Sequence, residues 1–123
     1  MSEMACDWSR WCKATSPEAL RAFYEDLKPR LTRIAREHGY AMAFHGSQRR
    51  DFDVVAIPWE LDCSTHTVLA DSIAREVCAF VHSPAPIRKP HGRLAYLMPL
   101  GVAAVLDLSI MPAVDLLLPE AKP

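Results

Sequence analysis

The chain has 123 residues, of which 50% are hydrophobic, and its 14 basic and 15 acidic residues give a formal net charge of −1. This length and apolar content predict a single folded domain over residues 1–123, and the balanced charge provides no general positive field for duplex nucleic acid. No apolar run approaches the roughly 20 residues that span a bilayer, and the N-terminal stretch lacks the apolar core of a secretory signal, so we expect a cytoplasmic protein without a membrane partner.

The first predicted helix follows an N-terminal arm of residues 1–14. Residues 15–18 (TSPE) are typical of a helix start, with a hydroxyl cap, a proline in the first turn and an early acidic residue. Gly39 is predicted to end the helix. Pro29 lies inside it and predicts a kink or two abutting helices. The expected buried stripe, with apolar residues at steps of three and four, is Leu20, Phe23, Tyr24, Leu27, Leu31 and Ile34.

Two strands and a second helix are predicted to follow. The runs YAMAFH (residues 40–45) and DFDVVAIPW (residues 51–59) are short and apolar, and the second is rich in β-branched residues, which favours buried strands. Ser64 or Thr65 can cap the second helix. The predicted buried face of this helix consists of Leu69, Ile73, Val77 and Phe80.

The last third of the chain contains a loop, two more strands and a tail. Residues 83–92 (SPAPIRKPHG) are predicted to form a proline-rich loop, and residues 93–99 and 102–110 a strand hairpin. Residues 111–123 are predicted to be an irregular tail. The order of helix, strand, strand, helix, strand and strand predicts an α+β (or α/β) domain, a small mixed sheet of about four strands with two main helices packed on it.

Three aspartates in the predicted strands are candidates for a metal site. Residues two apart in a strand point to the same face, so Asp51 and Asp53 would project side by side. Adjacent anions repel each other and usually persist because a cation lies between them, although a solvated strand end is the simpler interpretation. Asp107 lies among apolar residues and needs a partner, a proton or a metal. If its strand packs beside residues 51–59, the carboxylates could converge on Mg²⁺ or Mn²⁺.

Residues near these aspartates have the properties of a phosphate site. Gly46 allows close approach of the backbone, and Ser47 adds a hydroxyl group and an N–H group that can meet phosphate oxygens. Basic residues nearby could contact the remaining phosphate charge, although for each one alone a solvated surface is the favoured interpretation. These basic candidates are Arg49, Arg50, Lys89 and Arg93.

These residues together resemble a known family. A Gly-Ser after a strand, an Asp-x-Asp that opens the next strand and a lone Asp in a later strand resemble the nucleotidyltransferase superfamily, which has the DNA polymerase β-like fold. The resemblance implies that Gly46 and Ser47 form the Gly-Ser signature and that Asp51 and Asp53 bind the metal. It also implies that Asp107 is the third carboxylate, and that a nucleoside monophosphate is transferred from an NTP to a hydroxyl group through two metal ions.

A narrower resemblance covers residues 38–112. The segments HGSQRRDFDVVAIPW, KPHGRLAYLMPLG and LDLSIMP are similar to a group of small phage and prophage proteins with this fold, which would place the protein in the cytoplasm of a host cell. Only three residues separate Ser47 from Asp51, too few for a helical turn that could hold a triphosphate at its N-terminus. The triphosphate grip is therefore expected to come from Arg49, Arg50 and the loop at 88–93.

The alternative hypothesis is a non-catalytic module that keeps the fold and binds a nucleotide or a host protein. Exposure of Trp8 and Trp11 would favour a protein partner, since tryptophan is enriched at interface hot spots. His45 is interpreted as a core or rim residue, and His91 is left as a candidate for contact with phosphate.

Overall fold

The computed structural model describes residues 17–46, 51–77, 86–100 and 105–112. The predicted N-terminal arm, Phe80 and all of the predicted tail except residues 111 and 112 lie outside this part of the chain. The elements in chain order are α1 (Pro17–Glu37), β1 (Tyr40–His45), β2 (Asp51–Pro58), α2 (His66–Val77), β3 (Ile87–Arg88), a 3₁₀ turn (Pro90–Gly92), β4 (Leu94–Pro99) and β5 (Val105–Ile110).

The strands form one mixed sheet in the order β1-β2-β5-β4-β3. β1 pairs antiparallel with β2, and β5 pairs antiparallel with β4, which agrees with the predicted hairpin. β2 and β5 lie next to each other and are parallel, with the Cα of Asp51 opposite Val105 and that of Ala56 opposite Ile110. The two helices and the mixed sheet confirm the predicted α+β fold.

The sheet has five strands where about four were predicted. The additional strand, β3, has two residues and lies inside the segment predicted as a proline-rich loop. Ile87 pairs with Ala95 and Arg88 with Leu94. Pro86 and Pro90 flank this short pairing, and because proline has no backbone N–H it cannot extend a ladder, so β3 stays short.

The first helix is continuous through Pro29, so the prediction of two abutting helices is wrong. Proline removes one hydrogen bond inside a helix, but packing of an amphipathic face supplies most of the stability of a helix in a protein. Leu27 and Leu31, on either side of Pro29, are fully buried in the core. Gly39 follows the helix with φ of +87°, a left-handed conformation that suits glycine and ends the helix as predicted.

The second helix begins where the sequence predicted. The Thr65 hydroxyl accepts a hydrogen bond from the Val68 backbone N–H at 3.3 Å, which caps the first turn of α2. The Arg30 guanidinium on α1 binds the Glu76 carboxylate on α2 at 2.8 Å and links the two helices. The buried residues of α2 are Leu69, Ala70, Ile73, Ala74 and Val77.

The two faces of the sheet differ in composition. Phe52, Val54 and Ala56 of β2 are buried and belong to the same core as the two helices. Asp51 and Ile57, at alternate positions of the same strand, are exposed and point to the opposite face, here called the open face. Across the described residues, no helix is long and apolar enough to cross a membrane.

Candidate functional site

The sheet register brings two of the three candidate aspartates side by side. The Cα of Asp53 lies opposite that of Asp107 in the parallel β2–β5 pair, so both carboxylates project from the open face of neighbouring strands. Neighbouring strands are about 4.8 Å apart. Asp51 projects from the same face, two residues before Asp53, and is exposed, whereas Asp53 and Asp107 are half-buried. The strand alternation that buries Phe52 thus places these carboxylates on the opposite face.

A histidine continues this row on the other side of Asp53. The Cα of His45 is the register partner of Asp53 in the antiparallel β1–β2 pair, and the His45 side chain is exposed. His45, Asp53 and Asp107 therefore occupy matching positions on three neighbouring strands. The sequence analysis interpreted His45 as a core or rim residue, because the register between β1 and β2 cannot be read from the loop length alone.

Gly46 lies against the Asp53 carboxylate. It has φ of +85°, and a Cβ atom built on it would lie 2.6 Å from Asp53 Oδ2. Real Cβ atoms do not approach other heavy atoms this closely, so a larger residue here would have to displace the carboxylate. The glycine of the predicted Gly-Ser pair therefore leaves room for the carboxylate of the predicted Asp-x-Asp pair.

An aromatic stack supports the strand beneath the carboxylates. The fully buried ring of Tyr24 stacks on Phe52 with centroids 4.4 Å apart, and Phe52 stacks on Phe44 at 5.5 Å. Burial raises the pKa of Tyr24 to about 12, with a further rise from the charge of Asp51 and a smaller one from Asp53, while a backbone hydrogen bond from Val105 lowers it. The Tyr24 hydroxyl group therefore stays protonated, and the negative charges of both aspartates contribute to this.

The electrostatics of Asp107 reflect its position among these groups. Burial raises its pKa above the ordinary value, and the neighbouring charges of Asp53 and Asp51 raise it further, while Lys89 and Arg93 lower it. The causes that raise the pKa outweigh the two basic residues. Asp107 therefore holds a proton more readily than an exposed aspartate does, which is a property of general bases and of carboxylates that share a cation.

Two of the predicted basic residues lie in the segment that precedes β4. Lys89 and Arg93 both act on the charge of Asp107, and the Lys89 backbone N–H donates to the Arg93 carbonyl at 2.8 Å, which closes the turn between them. The Arg93 guanidinium also donates to the Ser109 hydroxyl at 3.3 Å, two residues from Asp107 on β5. The structure thus brings Lys89 and Arg93 to the same face as the carboxylates.

Three predicted site residues and the predicted metal cluster need separate mention. Ser47, Arg49 and Arg50 lie outside the described residues. Within residues 17–46, 51–77, 86–100 and 105–112, no three His, Cys, Asp or Glu side chains are close enough to form a ready metal cluster. The closely registered unit is thus the pair Asp53 and Asp107, with Asp51 beside it.

Tyr24 was predicted only as one member of the apolar stripe of α1. The charges of Asp51 and Asp53 raise the pKa of its hydroxyl group from the other side of β2. That proximity depends on the packing of α1 against the sheet, so no local signal in the sequence around Tyr24 could have revealed it.

Comparisons with known proteins do not assign the chain to a family. No model of a known protein family matches it, and no curated protein matches it in sequence.

Proposed function

We propose that the protein is a metal-dependent nucleotidyltransferase that binds an NTP through its open sheet face. The observation that carries the proposal is the direct register between Asp53 and Asp107, with Asp51 on the same face. Two half-buried carboxylates at matching positions repel each other, and such a pair is most readily stabilised by a divalent cation. A strand end whose aspartates are simply solvated is the competing explanation, and it accounts less well for Asp107 in the middle of the sheet.

The donor set fits Mg²⁺ or Mn²⁺. Both ions prefer hard oxygen ligands, and Mg²⁺ is commonly held by one or two carboxylates together with substrate phosphates. Asp53 and Asp107 would supply these carboxylates, and Asp51 a third oxygen donor. The space beside Asp53 Oδ2 that a Cβ on Gly46 would fill is consistent with a carboxylate that has to keep a fixed position. Once bound, the metal would polarise the phosphate oxygens and neutralise developing charge.

Side chains of the protein would then bind the NTP and activate the acceptor hydroxyl group. Lys89 and Arg93 would offset the phosphate charge, together with Ser47, Arg49 and Arg50 as the sequence predicts. The acceptor hydroxyl oxygen would form a bond to the α-phosphorus, and the bond from that phosphorus to the departing pyrophosphate would break. The raised pKa of Asp107 suits it to take the proton of the attacking hydroxyl group.

Nucleotide binding is tested by thermal unfolding with each NTP, with and without Mg²⁺ or Mn²⁺. A ligand that binds only the folded state raises the midpoint, by the equivalent of about 2.7 kcal/mol at one hundred times its dissociation constant. We expect a metal-dependent rise that disappears in the double variant Asp51→Asn/Asp53→Asn. Asp62→Asn, an exposed aspartate after β2, is the matched control and should keep the rise. The absence of a rise with every nucleotide and metal would contradict the proposal.

Transfer is tested separately by pyrophosphate release from the NTP in the presence of metal. We expect Asp107→Asn to lower the rate by about 100-fold or more, which is the usual contribution of a general base. An unchanged rate of pyrophosphate release in this variant would show that Asp107 is not the general base.

A non-catalytic binding module is the second candidate. Exposed apolar side chains on the open face, Ile57 at 43% and Leu97 at 43%, favour it, because such residues around a polar site are typical of surfaces that meet another molecule. Leu97 is the register partner of Asp107 and so borders the carboxylates directly. Nucleotide binding without pyrophosphate release, in the parent protein and at every metal tested, would select this function over the enzyme.

A further inference from the structure

A cavity of about 340 Å³ lies at the end of the sheet away from the aspartates. Its walls include Tyr40, which is the first residue of β1, and Ile110, which is the last residue of β5. Tyr40 pairs with Pro58 at the far end of β2, whereas Asp53 pairs with Asp107 near the beginning of β5. The cavity is therefore separate from the proposed nucleotide site, and its volume lies in the range of pockets that bind small molecules.

The lining of the cavity is apolar with a few polar groups. Leu94, Ile110 and Met111 contribute aliphatic surface, and Tyr40 contributes an aromatic ring. Ser64 and His66 contribute polar groups. Among the described lining residues there is no Asp, Glu, Lys or Arg. A charged ligand would lose its hydration there without an opposite charge to replace it, so the lining favours an uncharged ligand.

Hydrogen bonds hold the polar wall in place. The Tyr40 hydroxyl donates to the Ser64 carbonyl at 2.6 Å, and the Ser64 hydroxyl bonds the His38 Nδ1 at 2.9 Å. The Tyr96 hydroxyl bonds the His66 Nδ1 at 2.6 Å. These bonds join the segment before α2 to β1 and to the residue that follows α1, and they join the first residue of α2 to β4. A wall that is already ordered loses less entropy when a ligand binds than a flexible wall does.

The Nε2 atom of His66 makes no hydrogen bond to another described residue. Burial raises the pKa of Tyr96, which keeps its hydroxyl group protonated, and a hydrogen bond from Thr67 engages its oxygen. His66 Nδ1 and the Tyr96 oxygen share a hydrogen bond of 2.6 Å, and when the Tyr96 hydroxyl is the donor the imidazole proton lies on Nε2. Both hydrogen bonds of His66 in the described part of the chain use Nδ1.

We propose that this cavity binds an uncharged, mainly apolar small molecule that carries a hydrogen-bond acceptor for the His66 Nε2–H. The proposal does not depend on the nucleotide site, because the cavity lining contains none of the aspartates or basic residues of that site, although Arg93 lies between the lining residues Gly92 and Leu94. A water-filled gap between α2 and the sheet is the competing explanation. It would show no preference for an apolar ligand.

The probe for the test is prodan, an uncharged naphthalene that carries a ketone and whose emission shifts to the blue in apolar surroundings. We expect saturable binding with a blue shift. Met111→Trp would fill the cavity and should weaken binding by about tenfold or more, equivalent to ~1.4 kcal/mol. Leu97→Trp adds the same bulk on the open face and should leave binding unchanged. Loss of binding in Leu97→Trp but not in Met111→Trp would place the probe on the open face and overturn the proposal.

The location is tested by NMR of methionine methyl groups in the parent protein, which does not depend on any variant folding. Met111 lines the cavity, whereas Met98 is fully buried elsewhere in the core and Met42 lies on β1. We expect prodan to shift the Met111 signal most. A largest shift at Met42 or Met98, or no saturable binding at all, would overturn the proposal.

The donor is tested by a pair of substitutions at one residue. His66→Phe removes the Nε2–H and keeps a ring, so prodan affinity should fall. His66→Gln keeps an amide N–H near the position of Nε2 and should restore most of the affinity. Equal affinity in both variants and the parent would show that His66 provides no hydrogen bond, and the proposal would fail.

Discussion

The two faces of β2 differ although their residues alternate in the same strand. On the face towards the helices, Phe52 and Val54 are almost completely buried, and Phe52 stacks between Tyr24 and Phe44. On the open face, Asp53 lies opposite Asp107, and the charge of Asp53 raises the pKa of Asp107. The covered face therefore stabilises the fold, whereas the open face contains repulsion that the fold tolerates.

The contrast between the two faces indicates which face contains a candidate functional site. A buried apolar row is explained by the hydrophobic effect alone and needs no ligand. A row of half-buried carboxylates opposes folding and calls for another explanation, because natural proteins retain strained or repulsive groups mainly at functional sites. Substitution of a buried apolar residue on the covered face should accordingly lower stability, whereas neutralising a carboxylate on the open face should raise it.

The largest expected effect is on the covered face. Phe52→Ala would remove both aromatic stacks and leave a cavity, so we expect a loss of about 3–5 kcal/mol in the free energy of unfolding, measured by urea denaturation. Ile57→Ala, on the open face of the same strand with 43% of the side chain exposed, is the control. It should change stability by less than about 0.5 kcal/mol. Similar losses in both variants would mean that the two faces do not differ as described.

The second expected effect concerns Gly46, which follows β1 and lies against the carboxylate of Asp53 on the open face. Gly46→Ala would place a methyl group 2.6 Å from Asp53 Oδ2 at φ of +85°. A left-handed conformation alone costs a non-glycine residue about 1–3 kcal/mol, and the contact with the carboxylate adds to it. We expect the loss measured by urea denaturation to shrink when Asp53→Ala is added, since this removes the atom that the methyl group meets.

Gly92→Ala is the matched control for this prediction. Gly92 has φ of +77°, but its Cβ would lie 3.4 Å from Pro112, which is an ordinary contact. Gly92→Ala should lower the free energy of unfolding through the left-handed backbone conformation alone, and adding Asp53→Ala should not change that loss. If Gly46→Ala lowers stability by the same amount with and without Asp53→Ala, the effect of the substitution does not come from the Asp53 carboxylate.

Local patterns in the sequence predicted most of the fold. The TSPE start, the apolar stripe and Gly39 placed α1, and the alternation in DFDVVAIPW predicted that Asp51 and Asp53 share a face. These features depend on neighbouring residues, so the chain encodes them locally. β3 escaped prediction because a two-residue strand has no periodicity and forms only when β4 offers a partner.

The sequence suggested candidate residues for a site but did not predict their arrangement. Asp107 attracted attention because a charge in an apolar run is unusual, yet its register with Asp53 follows from the parallel β2–β5 pairing, which no local pattern encodes. His45 reaches the row of Asp53 and Asp107 through the β1–β2 register, which no local pattern encodes either. The cavity near His66 was not predicted, because its walls come from segments remote in sequence.

The third expected effect is a gain in stability on the open face. Asp107→Asn keeps the shape of the side chain and removes the charge that burial, Asp53 and Asp51 disfavour. At neutral pH, without added metal, we expect the free energy of unfolding to rise by on the order of 1 kcal/mol, seen as a higher Tm. A lower Tm would mean that Lys89 and Arg93 more than compensate the repulsion.

The same variant predicts a pH dependence with a definite sign. Because the pKa of Asp107 is raised in the folded state, the folded state binds the proton more tightly than the unfolded chain does. The stability that comes from this group is fully present below its ordinary pKa of 3.8 and is lost as the pH rises through the raised value. The gain from Asp107→Asn should therefore be largest at neutral pH and vanish at the acid end. A gain that is independent of pH would have another cause.

The smallest expected effect tests the helix layer that covers the buried face. Glu76→Gln would remove the charge that Arg30 contacts at 2.8 Å, in a pair whose side chains are 27% and 21% exposed. We expect a loss of about 0.5–1 kcal/mol that decreases at high salt, because partly screened ion pairs contribute at most modestly.

Glu25→Gln is the control, since Glu25 pairs with Lys28 at 2.7 Å within one helix and is 54% exposed. Solvent screens that pair more, and it joins no second element, so its loss should be close to zero. Urea denaturation of both variants at low and high salt measures the two losses in the free energy of unfolding and their dependence on salt. Equal losses would mean that the contact between the helices depends on apolar packing alone, and that charge contributes to this protein mainly where Asp53 and Asp107 meet.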